Sequence, residues 1–216
     1  DPWSTVFKTL SLSGNNAKLY VETQASTAKG KGTTRLVARL LDAKGKAVAQ
    51  KNLTTNTQGA ASAQFDVANA KVWSPEQPHL YTLEINLYQG FKLVDRLRQR
   101  VGIRTIAVSK EHGFQLNGVS RKFKGVCLHH DLGPLGAAVN KAAIIRQIRL
   151  MKDMGVDAIR TSHNMPSQMQ MEVCDSMGMM VMAESFDAWK EAKVKNGYNL
   201  FYDTWWRKDL ENLIRG

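Results

Sequence analysis

The hydrophobic rhythm of the chain changes once, near Ser109, and this constrains the fold more than any other feature. Before it, apolar and polar residues alternate. Lys18-Leu19-Tyr20-Val21-Glu22-Thr23, Ser62 to Val67 (Ala63, Phe65 and Val67 on one face) and Tyr81 to Leu87 all repeat every second residue, the period of a half-buried strand. Arg35 to Leu41 ends in the turn Asp42-Ala43-Lys44-Gly45-Lys46 and is answered by Ala47 to Leu53; Gln89-Gly90-Phe91 turns Tyr81–Leu87 into Leu93 to Ile103. Six or seven short strands with regular turns predict an immunoglobulin-like β-sandwich over residues 1–109. This half contains no cysteine, so the inter-sheet disulfide of antibody domains is absent.

After Ser109 the pattern becomes mixed. Phe114-Gln115-Leu116-Asn117-Gly118 reads as a small hairpin turned by Asn-Gly. Lys124 to Leu128 and Asp157 to Thr161 read as short buried strands. Asn140 suits the N-cap of a helix with Ile144, Ile148, Met151 and Met154 inward, stopped by Gly155. Ser167 with Gln170 resembles a capping box opening a helix to Met177, and Gly178 ends it. Met179 to Ala183 is a continuous apolar strand, and Asp203 would cap a last helix with Trp206, Leu210, Leu213 and Ile214 inward. The methionines from Met165 to Met182 read as core filler. Strand–helix alternation over residues 110–216 implies a parallel sheet.

Three strands in this half end in residues that carry chemistry. The first runs into His129, His130 and Asp131, the second into Arg160, His163 and Asn164, the third into Glu184, Asp187 and Trp189. The C-terminal edges of parallel strands point the same way, so these side chains are expected to converge. Arg160 suits bidentate contact with a carboxylate, the histidines suit hydroxyls, and Trp189 offers a flat face to a sugar ring. Blander readings compete: Arg160 as structural glue to Asp157 or Glu184, and His129, His130, His163 and Asp131 as a metal cluster. Glu184 and Asp187, neighbours in one loop, are poorly placed to flank a glycosidic bond from two sides. His79 and His112 fall in turns and read as solvated.

Charge and cysteine content narrow the partners. The net charge of +11 concentrates in residues 1–109 (15 Lys/Arg against 7 Asp/Glu) rather than 110–216 (15 against 12). Apart from Arg96-x-Arg98-x-Arg100 the basic residues are scattered along strands, which reads as a solvated basic face with no nucleic-acid partner. No apolar run is long enough to span a membrane, and no leader is evident. Cys127 and Cys174 are too few for a disulfide framework and read as two buried free thiols.

Several segments in order carry a family resemblance: Trp73-Ser74-Pro75-Glu76-Gln77-Pro78-His79-Leu80-Tyr81, Val101-Gly102-Ile103-Arg104, Phe114 to Gly118, Lys124-Gly125-Val126 with His129-His130-Asp131-Leu132-Gly133, Arg160-Thr161-Ser162-His163-Asn164 with Cys174-Asp175, and Glu184 to Trp189. They resemble glycoside hydrolase family 2, the β-galactosidases, β-glucuronidases and β-mannosidases. The resemblance implies an immunoglobulin-like domain followed by the first three βα units of a (β/α)8 TIM barrel, and retaining hydrolysis of a terminal β-linked sugar, most like a β-galactosidase. Arg160 would orient the nucleophilic glutamate, His129 and His163 would contact sugar hydroxyls or the scissile region, and Glu184 and Asp187 would line the sugar pocket. The family's acid/base and nucleophile lie at the fourth and seventh barrel strands, so both are expected beyond Gly216 and no catalytic residue is assigned within the chain. The expected partner of the intact protein is an oligosaccharide or galactoside, with no cofactor required and room for a structural divalent cation. By resemblance the protein would be periplasmic or secreted and bacterial. Trp3 to Leu12 would be a remnant of a preceding sugar-binding domain. Cys127 stands where the family has asparagine, and Asn164-Met165-Pro166 where it has Tyr-Pro. An open barrel edge would make the chain self-associate. A non-catalytic module, binding carbohydrate or a partner domain through the sandwich, is the alternative from another class.

Overall fold

The computed structural model describes residues 4–25, 34–55 and 60–215, and the chain divides into two compact units, residues 1–121 and 122–216. The first unit contains β1 (Val6–Ser13), β2 (Asn16–Gln24), β3 (Thr34–Leu41), β4 (Ala47–Thr55), β5 (Ala60–Val67), β6 (Tyr81–Gln89) and β7 (Lys92–Val101). They pair antiparallel in the order β1-β2-β5-β4-β3-β6-β7. Strand β4 makes this sheet a sandwich. Its residues from Ala47 to Leu53 pair with β3, whereas Thr54 and Thr55 pair with Ser62 and Ala61 of β5. The strand thus passes from one leaf to the other.

Period-two patterning then fills the space between the leaves. Ala17, Leu19 and Val21 of β2 and Phe65 of β5 meet Ala38 and Leu40 of β3 and Leu83 and Ile85 of β6 in one buried cluster. Tyr81 caps the cluster, and its hydroxyl accepts from the Lys71 N–H at 2.8 Å. Trp73 is buried, with Arg104 over its ring at 5.0 Å. Strand β1 corrects the reading of Trp3 to Leu12 as a remnant of another domain. Val6 to Ser13 pairs along β2 and is the first strand of the sandwich; Trp3 lies outside the described residues. A register shift between Thr9 and Ser11 breaks the alternation of β1, which hides it from pattern reading.

The outer face of the β3-β6-β7 leaf is not the plain solvated surface its arginines predicted. Glu84 is 1 % exposed there, beneath Arg39, Arg96 and Arg98. Arg39 Nη1 lies 2.9 Å and Arg98 Nη2 2.7 Å from its carboxylate, Asn86 Nδ2 donates to it at 2.9 Å, and Arg96 Nε donates to Asn86 Oδ1 at 2.8 Å. Burial pushes the Glu84 carboxyl up, but the bonds from Asn86 and Arg98 and the charges of Arg96 and Arg98 outweigh it and hold it below the usual carboxylate range. The arginine stems also cover sheet surface that a two-layer fold would otherwise leave wet.

Three short strands follow, β8 (Ile106–Ser109), β9 (Gly113–Leu116) and β10 (Val119–Ser120), in an antiparallel sheet. Asn117 and Gly118 take the two positive φ angles, 52° and 78°, of the expected tight turn. Asn117 also ties this sheet to the sandwich: its Nδ2 donates to the Trp73 carbonyl and its Oδ1 accepts from Thr105 N–H, both at 3.0 Å. The first unit therefore runs past Ser109 to Arg121.

The second unit begins a TIM barrel. Strands β11 (Gly125–Leu128), β12 (Ala158–Thr161) and β13 (Met180–Met182) pair parallel in chain order, with helices α1 (Lys141–Asp153), α2 (Gln168–Met177) and α3 (Tyr202–Arg215) following each. The predicted caps form: Asn140 Oδ1 accepts from Ala143 N–H at 3.1 Å, Ser167 Oγ from Gln170 N–H at 3.2 Å, and Gly178 closes α2 at φ 71°. Ile144, Ile148, Ile159, Val173, Cys174 and Met179 make the buried core.

Several details differ from expectation. Met154 lies past the end of α1 and is 74 % exposed, Met182 is 58 % exposed, and Ile214 on α3 is 76 % exposed. Helix α3 starts at Tyr202, so Asp203 sits in its first turn rather than at its cap. Cys174 is buried and its thiol is pushed up to about 12 by that burial, but Cys127 is exposed, because it lies on β11 at the edge of the three-stranded sheet.

Two outcomes are expected. Glu84→Gln leaves three crowded guanidinium groups without their counter-charge and should lower the unfolding free energy by roughly 3 kcal/mol in urea titrations. The outer edges of β11 and β13 have no strand partner among the described residues. The chain on its own should therefore self-associate in size-exclusion chromatography with light scattering, and a clean monomer would contradict this.

Candidate functional site

The three parallel strands are locked at their N-terminal edge by one residue. Asp157 Oδ1 accepts from Lys124 N–H at 2.9 Å, its own N–H donates to the Lys124 carbonyl at 3.0 Å, and its carbonyl accepts from Met180 N–H at 2.9 Å. Asp157 is therefore spent far from Arg160, and the Arg160 partner is Glu184. The resulting register sets Cys127 opposite Arg160 and Arg160 opposite Met182. The three strands end within one residue of one another, so the segments after them emerge along one edge.

At the C-terminal edge the segments are stitched together. Ser162 N–H donates to the Leu128 carbonyl at 3.0 Å, Glu184 N–H to Thr161 Oγ1 at 3.0 Å, and Asn164 and Phe186 form an antiparallel bridge. Glu184 then faces two cations or potential cations. Arg160 Nε lies 2.8 Å from Oε1, off the line of its N–H, and His163 Nδ1 lies 2.7 Å from Oε2. The His129 ring meets His163 edge-on at 5.9 Å. Asp187 accepts from Lys193 Nζ at 2.7 Å, and this bond, then the charges of Lys193 and His163, hold its carboxyl below the usual range against a smaller upward push from burial.

The predicted residues thus separate into groups. His129, His130, Asp131 and Asn164 line a shallow cleft along the ends of β11 and β12, together with Thr161 and Gln170. Arg160, His163 and Glu184 form the ion cluster. His130 and Asp131 also carry local structure: His130 Nε2 lies 3.0 Å from the Ala137 carbonyl, and Asp131 Oδ1 accepts from Gly133 N–H at 2.6 Å. Among the described residues no group of three or more His, Cys, Asp or Glu side chains is placed to hold a metal ion, so the metal-cluster reading of His129, His130, His163 and Asp131 finds no support here.

Sequence reading missed an aromatic cluster that borders Trp189. Phe186 stacks on Tyr198 at 4.9 Å, Trp189 lies near-parallel to Tyr202 at 6.4 Å, and Tyr202 to Trp206 at 6.3 Å. Tyr198, Tyr202 and Trp206 recur every fourth residue, the signal that marks one face of a helix. Trp189 is 67 % exposed, so one of its faces is open while the cluster fixes the ring. The Tyr198 hydroxyl donates to Asp209, and burial followed by that carboxylate pushes its phenol up to about 12.

This edge matches known sequences. The model described as "Glycosyl hydrolases family 2" matches residues 4–104, and "Glycosyl hydrolases family 2, TIM barrel domain" matches residues 106–203. The chain belongs to glycoside hydrolase family 2. A β-galactosidase of Bacteroides ovatus is 36 % identical over 98 % of the chain, and a putative β-glucuronidase of Formosa agariphila is 38 % identical over 81 %. The chain covers 26 % and 17 % of those proteins. A family 2 crystal structure from Bacteroides cellulosilyticus superimposes with a TM-score of 0.91 at 35 % identity, covering 100 % of this chain and 28 % of that one. As a member of glycoside hydrolase family 2, the chain spans about a quarter or less of the length of these relatives.

The raised Tyr198 value predicts a pH dependence. Its phenol ionises near 10.0 when free and near 12 when folded, so the stability it contributes is complete below pH 10 and is lost as pH rises through about 12. Tyr198→Phe should cost about 1 kcal/mol near neutral pH and flatten the alkaline loss, read from urea midpoints at neutral and alkaline pH.

Proposed function

We propose that this chain is part of a retaining glycosidase that removes a terminal β-linked neutral sugar, with a β-galactoside as the substrate class. The chain supplies the immunoglobulin-like domain and one wall of the sugar site. The acid/base and the nucleophile of the double displacement come from outside these 216 residues. The supporting observation for the last point is that the acidic residues of this wall are already engaged. Glu184 is shared between Arg160 and His163, and Asp187 is held by Lys193. An acid/base carboxyl needs a raised value, and Asp187 is lowered.

Charge balance carries the choice of sugar. Arg160 and Lys193 are matched by Glu184 and Asp187, and Lys190 faces Asp203 at 3.4 Å. Asp131 adds a negative group to the same edge. Three cations of this wall, Arg160, Lys190 and Lys193, thus already face carboxylates, which favours a galactoside over a glucuronide despite relatives named for both activities. Trp189 would stack on the sugar or on the group it is linked to, as aromatic platforms do for apolar ring faces.

The test is to assay the full gene product on chromogenic β-galactoside, β-mannoside and β-glucuronide. The galactoside should be preferred over the glucuronide by about a hundredfold or more in kcat/KM, and a glucuronide preference would refute the reading. On this reading the 216-residue chain alone should show no turnover, since the carboxylates that would supply the ~8 kcal/mol or more of barrier lowering would lie outside it.

A further inference from the structure

We infer that Glu184 is the positioning residue of this site: its carboxylate holds the His163 ring as the Nδ1–H tautomer and leaves Nε2 as a bare acceptor for a hydroxyl of the ligand. Resemblance alone would make Glu184 a residue lining the sugar pocket. The geometry gives it other work. One oxygen stands 2.8 Å from Arg160 Nε and the other 2.7 Å from His163 Nδ1. Its backbone N–H is pinned to Thr161 Oγ1 at 3.0 Å, so the carboxylate is held from both ends.

An ionised carboxylate can only accept. Neutral imidazole has one N–H and one bare nitrogen, so the nitrogen facing Glu184 must carry the proton. Nε2 is then bare, and it has no hydrogen-bond partner among the described residues. The other groups around the ring do not compete for Nδ1. His129 meets it edge-on at 5.9 Å, Asp187 is held by Lys193, and Arg160 is turned to the opposite oxygen of Glu184. The same logic fixes histidines in metal and catalytic sites, where the hydrogen bond at one nitrogen sets the role of the other. For a sugar this matters, because a bare Nε2 takes the proton of a hydroxyl, whereas Nε2–H would donate to its oxygen. The identity of that ligand rests on the glycosidase reading; the tautomer does not.

The experiment is ¹⁵N NMR of the ring nitrogens in histidine-labelled protein, with His163 assigned from the signal lost in His163→Gln. The pH is raised until the ring ¹⁵N shifts of His163 stop changing, so that the neutral form is read. In the native chain the Nδ1–H form should exceed Nε2–H by about tenfold, as a charge-assisted bond requires. Glu184→Ala should lower that ratio by about tenfold, and Glu184→Gln, whose amide oxygen still accepts, should restore most of it. Backbone amide spectra of the variants check folding, and the native-chain ratio stands without any variant. A native His163 protonated mainly on Nε2, or a ratio unmoved in Glu184→Ala, overturns the inference. Because no turnover is read, a full gene product inactive on every glycoside would refute the glycosidase reading, and the predicted ratio in this chain would leave this one standing.

Discussion

The candidate site depends on the hydrogen bonds that Asp157 makes at the closed end of the parallel sheet. Parallel strands can slip, and a slip of one residue turns every side chain to the other face. Asp157 ties Lys124 and Met180 to one position, so β11, β12 and β13 start in register and finish within one residue of one another. Side chains that are far apart in sequence, His129, His163 and Glu184, then leave the sheet at one edge. Their chemistry is set by an aspartate that never approaches them.

The two units solve the burial of a glutamate in contrasting ways. Glu84 is fully covered, and a buried carboxylate with three guanidinium groups and an amide around it is a structural device. Desolvation opposes it, and only the completeness of the cage keeps it ionised. Glu184 keeps 27 % of its side-chain surface exposed, and its partners Arg160 and His163 keep 41 % and 37 %. That is a poor way to stabilise a fold, since half-exposed pairs are worth about 1 kcal/mol or less. It is a reasonable way to hold two side chains in place while leaving them reachable.

Much of this was legible in sequence, for identifiable reasons. The strands of the sandwich announce themselves because Leu19, Val21, Phe65, Leu83 and Ile85 face one core at a two-residue period. Helix caps were readable because Asn140, Ser167 and Gly178 act through bonds within their own turn. What failed was non-local. A register shift in β1 erased its alternation, and the exposure of Cys127 depends on its place at the sheet edge. The candidate residues lie at the strand ends where their sequence places them, yet their division into a cleft set and an ion cluster depends on side-chain directions that no motif encodes. Arg160 illustrates this: Asp157 and Glu184 were equal candidates in sequence, and only the register shows them at opposite ends of the strand.

The exposure of the ion cluster gives the site a built-in response to occupancy. Two unit charges about 4 Å apart interact by about 1 kcal/mol in bulk water and about 4 kcal/mol at an effective dielectric of 20. On the glycosidase reading proposed above, a sugar seated against His129, His163 and Trp189 would replace water at this edge. The Arg160–Glu184–His163 contacts would then strengthen without any change in distance. On that reading the wall would be held more firmly with a ligand excluding water than without one. Glu84 differs, because its own carboxylate is already covered.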